Sequence, residues 1–136
     1  MWKQCSEGQS GKDCSGEAAT YKWDDAMSKF GKGVSFAGHS DWRMPTIEEL
    51  RTLVYCSNGT RQEEAWDEKC DGKDDKAGEF QEPTINQKAF PNTDRIYLSS
   101  TEKDASFVWG VFFGGGRVAK HNHRIASNVR LVRSGQ

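Results

Sequence analysis

Apolar positions along the chain change their period midway. Trp23, Ala26, Met27 and Phe30 fall at i, i+3, i+4 and i+7, the spacing of one helical stripe. That spacing predicts a helix capped by Thr20 and running to Phe30, where Gly31 and Gly33 end it. A second helix opens at Pro45-Thr46, because Thr46 with Glu49 three residues on is a capping box. Ile47, Leu50, Leu53 and Val54 give it an apolar face, and it is expected to end near Cys56. From Ile96 the period becomes two. Ile96–Ser99, Val108–Phe113, Arg117–Lys120 and Asn128–Val132 read as short strands, split by Gly114-Gly115-Gly116 and polar turns. Trp109, Val111 and Phe113 share one face, Val129 and Leu131 another. Helices first and antiparallel strands last define an α+β domain.

Between the two halves, residues 57–82 hold nine Asp or Glu and no hydrophobic period. They read as loop, with a helical turn at Glu63–Trp66 the one candidate for regular structure. Asp71-Gly72-Lys73-Asp74-Asp75 lacks the spaced oxygen ligands and closing Glu of a calcium loop, so it reads as solvated acid. Asn58-Gly59-Thr60 is a glycosylation sequon, informative only in a host that glycosylates. Residues 5–19 form a loop of small residues.

The length of 136 residues fits a single domain, 1–136. Only 35% of residues are hydrophobic and 14 are glycine, which implies long polar loops. Five Trp and seven Phe offset the small core, since each buried aromatic removes a large apolar area from water. No apolar run approaches the ~20 residues of a membrane span, so no membrane insertion is expected. Met1-Trp2-Lys3 leads into polar sequence and shows no signal peptide, which a mature exported chain would have lost.

The four cysteines, Cys5, Cys14, Cys56 and Cys70, are even in number and widely spaced in a loop-rich chain, which reads as two disulfides and export. Three connectivities are open. Cys5–Cys14 with Cys56–Cys70 is the preferred one, since each pair brackets one Gly-rich or charged loop. A metal site is the rival, and no closely spaced cysteine pair is present to grip zinc.

Charge is uneven. Residues 1–104 carry 14 basic and 20 acidic side chains, whereas Arg117, Lys120, Arg124, Arg130 and Arg133 fall in residues 105–136, which hold no acid. Such asymmetry sets up a local field and points to an anionic partner, or to arginines pairing internally with the acidic two-thirds. His121-Asn122-His123-Arg124 places two histidines at i, i+2, pointing the same way, but no third ligand lies nearby. No metal and no cofactor are expected. Neither a nucleophile elbow nor a phosphate-binding glycine loop is present, and carboxylate pairs such as Asp24-Asp25 and Glu48-Glu49 favour helix starts. No catalytic residue is assigned, and the chain is not expected to be an enzyme.

His39 to Leu50 is the densest patch. Trp42 is expected to be buried beside the second helix, in the core that Trp109, Val111 and Phe113 face, with Asp41 and Arg43 tying loop to backbone. Gly38-x-x-Asp41-Trp42-Arg43-x-Pro45-Thr46-x-x-Glu49-Leu50 resembles the signature of the Lcl C-terminal domain family, named after a bacterial collagen-like adhesin. Met1-Trp2-Lys3-Gln4-Cys5, Trp23-Asp24-x-Ala26, Phe90-Pro91-Asn92-Thr93 and Tyr97-Leu98-Ser99-Ser100-Thr101 are similar in order. So are Trp109-x-Val111-x-Phe113-x-x-Gly116 and Val129-Arg130-Leu131-Val132-Arg133.

The resemblance implies a C-type-lectin-like fold, akin to the formylglycine-generating enzymes, of two helices and a twisted antiparallel sheet. It implies an exported bacterial protein, with diversity concentrated at about 102–128. The strand that members usually carry upstream of the Met-Trp stretch is expected to be missing. The paired C-terminal cysteines of formylglycine-generating enzymes are absent, as are the Glu-Pro-Asn and Trp-Asn-Asp triplets of calcium-dependent lectins. The expected function is an adhesin-type, cell-surface binding domain. Arg117, Lys120, His121, His123 and Arg124 would recognise an anionic polysaccharide or a surface protein, the histidines contributing when protonated. Nucleic acid is not an expected partner. The alternative is a subunit of a pilus or filament, in which another copy completes the sheet.

Overall fold

The computed structural model describes residues 1–57, 70 and 81–134. The turn expected at Glu63–Trp66, the Asn58 sequon and the Asp71–Asp75 run lie outside the described residues. The elements are β1 (Thr20–Tyr21), α1 (Trp23–Phe30), β2 (Val34–Phe36), β3 (His39–Trp42), α2 (Ile47–Arg51), β4 (Ile96–Glu102), β5 (Phe107–Phe112), β6 (Arg117–Asn122) and β7 (Ser127–Asn128). The α+β class follows the change of period.

Helix boundaries differ from the reading at two ends. Thr20 does not cap α1; it pairs with Asn128, and Lys22 takes the cap position without a side-chain bond. Asp24 and Asp25 in the first turn favour the helix dipole instead. The capping box of α2 is present, with the Glu49 N–H donating to Thr46 Oγ1 at 3.2 Å and the Thr46 N–H to Glu49 Oε1 at 2.9 Å. This helix ends at Arg51 rather than near Cys56, and Val54 leaves it to bridge Ile85.

The main sheet has the order β1-β7-β4-β5-β6. Its pairings are antiparallel except that β4 and β7 meet in parallel at Tyr97 and Asn128, which corrects the fully antiparallel expectation. Successive side chains leave a strand on opposite faces, and each face carries a core. On one, Ala26 and Phe30 of α1 pack with Trp42, Met44, Val129 and Leu131 on Leu98 and Val108. On the other, Ile47 and Leu50 of α2 pack with Tyr97, Val111, Phe113 and Val118. Trp42 is therefore buried as expected, at 2% exposure, but in the α1 core and not with Val111 and Phe113.

Chain ends and the Asp41–Arg43 stretch are tied together. The Arg43 guanidinium donates to both Glu49 oxygens at 2.8 and 2.9 Å and to Ser134 Oγ at 2.7 Å, while its backbone pairs with Val132. The bond from Arg43 and those at Thr46 push the Glu49 carboxyl down to about 2. Asp41 accepts from Arg133 Nε at 2.8 Å. These residues are structural ties.

Cys5 is bonded to Cys14 and Cys56 to Cys70, with no free cysteine, as the looped spacing suggests. Disulfides of this kind form and persist in oxidising compartments. Gly116 adopts φ +76°, and a Cβ there would stand 2.6 Å from Cys70 Sγ. The second disulfide thus packs directly on the turn that starts β6. Among the described residues no helix is long and apolar enough to cross a membrane.

Candidate functional site

Strand β6 lies at the end of the sheet order, and its register with β5 decides which side chains share a face. Phe112 pairs with Arg117, Gly110 with Ala119 and Val108 with His121 on one face; Val111 with Val118, Trp109 with Lys120 and Phe107 with Asn122 occupy the other. Strand β4 extends the first two rows, because Ile96 pairs with Phe112 and Leu98 with Gly110. One face therefore carries the rows Ile96–Phe112–Arg117, Leu98–Gly110–Ala119 and Val108–His121.

The middle row has no side chain at Gly110 and only a methyl at Ala119, so a trough lies between two taller rows. It forms an open cavity of about 320 Å³ lined by Ile96, Gly110, Val111, Phe112, Arg117, Ala119, Lys120 and His121. Glycine is required at 110, where a Cβ would stand 2.8 Å from the Tyr97 carbonyl oxygen. The Arg95 guanidinium sits 5.1 Å from the Phe112 ring centroid, adding a second cation beside the trough. None of the residues lining the cavity is acidic.

Of the five residues expected to bind ligand, Arg117, Lys120 and His121 line the cavity. The Lys120 side chain nonetheless leaves β6 on the opposite face, where its ammonium lies 4.7 Å from the Phe107 ring centroid. His123 does not point with His121. Strand β6 ends at Asn122, and the following turn lays the His123 ring on Trp23 at 4.9 Å. The Nε2 of His123 is buried and makes no hydrogen bond among the described residues. Arg124 is exposed in that turn, its N–H donating to Asn122 Oδ1 at 2.8 Å. A run of eight consecutive residues cannot present one surface when a strand alternates faces and then turns.

His121 Nε2 lies 3.0 Å from the Ile125 carbonyl oxygen and 3.0 Å from Ser127 Oγ. A carbonyl only accepts, so Nε2 carries the hydrogen, and Ser127 gains no base from it. The imidazole instead latches the 123–126 turn to the sheet. Among the described residues no group of three or more His, Cys, Asp or Glu is placed to hold a metal.

The remaining basic residues of the C-terminal segment turn inward. Arg130 is fully buried. It donates to the Lys3 and Gln4 carbonyls, to Ser6 Oγ and to Thr93 Oγ1. Arg133 pairs with Asp41. Part of the charge asymmetry is therefore internal structure, and Arg117 is the arginine that lines the trough, with Arg95 against the Phe112 ring beside it. Arg95, Phe112, Gly110 and Ala119 escape a reading by charge. The signal that finds them is cross-strand register, which depends on how many residues the Gly114–Gly116 turn takes up.

A small, disulfide-stapled α+β domain with an open, basic-rimmed sheet face is what these elements define. The chain belongs to the Lcl C-terminal domain family, whose model matches residues 1–133. No curated protein and no solved structure matches the chain.

Proposed function

We propose that this is an exported binding domain of the adhesin type, in a fold of the C-type-lectin-like kind, which recognises an anionic glycan or surface partner through the trough-bearing face. The observation that carries this reading is the placement of Arg117 in a cavity with no acidic lining, with Arg95 against the Phe112 ring beside it. Arginine suits sulfate or carboxylate because its planar donors bind oxygens in pairs. Heparin-type polymer should bind, and more weakly as salt rises, since exposed charges are screened. Arg117→Ala should weaken binding about tenfold, the ~1.4 kcal/mol expected of one charge-assisted contact, whereas Arg124→Ala should change it far less. Equal losses from the two variants would assign the attraction to diffuse charge and remove the trough from the account.

A filament subunit is the second reading. It is favoured by the position of β6 at the edge of the sheet among the described residues, where a strand from another copy would pair. A monodisperse monomer at high concentration would count against it.

A further inference from the structure

We infer that the trough takes a single acid-bearing sugar ring at the end of a chain, rather than a length of polymer lying across the surface. This rests on the anionic-ligand reading above and narrows it. The trough runs across the strands, from Ala119 at the sheet edge over Gly110 to Leu98. Leu98 is fully buried in the α1 core. The inner end is therefore blind, and the mouth opens at β6.

Arg117 and His121 flank that mouth, four residues apart on one strand, or roughly 13 Å at strand rise. A volume of about 320 Å³ is at the small end for ligand cavities, enough for a ring or two and too short for an extended chain. A sugar ring has one face of C–H groups, which suits the Phe112 ring and the Ile96 wall. Its acid group suits the Arg117 guanidinium at the rim.

Ala119 is then the residue that sets what enters. Its methyl determines the height of the floor, and it is the position in the middle row where a larger side chain can stand. At Gly110 any Cβ meets the Tyr97 carbonyl, so that position keeps the trough open for structural reasons, whereas Ala119 is half-buried on the edge strand β6.

The test is calorimetric titration of the whole chain with a sulfated disaccharide ending in a uronate and, separately, with long heparin. Parent, Ala119→Leu, Ala119→Val and Arg124→Ala proteins are compared. Valine is favoured in strands, so it decides the matter if the leucine variant melts lower. The inference expects the disaccharide to bind about as tightly as heparin does per chain end. It expects the leucine and valine variants to lose about tenfold or more toward both, at an unchanged melting temperature, with Arg124→Ala near the parent. It is overturned if affinity grows with chain length and the Ala119 variants bind as the parent does; anion binding then survives, but as surface attraction. If the parent binds neither probe, the anionic reading itself has failed and takes this inference with it.

Discussion

Trp42→Ala is expected to lower the free energy of unfolding by about 3–5 kcal/mol, the range for truncating a large buried aromatic. The indole is buried between the α1 helix and the C-terminal strand segment. Its N–H donates to the Phe36 carbonyl at 2.8 Å, and the Phe36 ring meets it edge-on with centroids 5.7 Å apart. Alanine removes the ring, leaves a cavity and orphans a carbonyl. Against a total stability of about 5–15 kcal/mol for a domain of this kind, that is a large fraction. Urea unfolding of the oxidised protein measures it. A loss below about 1 kcal/mol would mean that Trp42 does not anchor the α1 core.

Arg130→Met should cost about 2–5 kcal/mol, because it leaves several buried neutral acceptors without a donor, at about 1–3 kcal/mol for each one that stays unpaired. Burial holds the Arg130 guanidinium below its ordinary range. It lies 4.9 Å from the Phe90 ring centroid and 5.5 Å from that of Tyr97. Its donors fix the backbone carbonyls of Lys3 and Gln4 beside the C-terminal segment, where the Lys3 N–H in turn donates to the Leu131 carbonyl. Methionine fills the space but leaves those acceptors unpaired in a dry site. Amide exchange in residues 1–7 should therefore accelerate more than exchange in β4 and β5. Lysine should rescue little, because an ammonium cannot reproduce the planar fork. Uniformly unchanged exchange would show that the N-terminal segment is held by its backbone pairing alone.

Local signals carried most of the fold. The α2 capping box, the α1 stripe at Trp23, Ala26, Met27 and Phe30, and both disulfides depend on residues close in sequence, and each stands as read. What a window cannot hold is competition from a distant partner. Thr20 is a good cap by type, yet Asn128 claims its backbone for a ladder. The sequence pattern puts Trp42 with Val111 and Phe113, but a helix on each face gives the sheet two cores, and β3 delivers the indole to the other one.

The candidate site was legible only in part for the same reason. Counting charges singles out Arg117, Lys120, His121, His123 and Arg124 together, whereas alternation and the turn after Asn122 send them to three places. Arg95 lies in the acid-rich part of the sequence, directly before β4, and comes beside the site only because Ile96 pairs with Phe112, whose ring its guanidinium meets. Gly110 and Ala119 matter through what they lack, and a sequence shows this only once register is known.

The most direct measurement is a titration of isotopically labelled protein with the sulfated disaccharide, followed residue by residue through amide chemical shifts. Shifts are expected to concentrate at Ile96, Gly110, Phe112, Arg117, Ala119, Lys120 and His121, with Lys103 and Arg124 nearly still. Shifts centred on Lys103 and Arg124, with the trough unmoved, would contradict binding there.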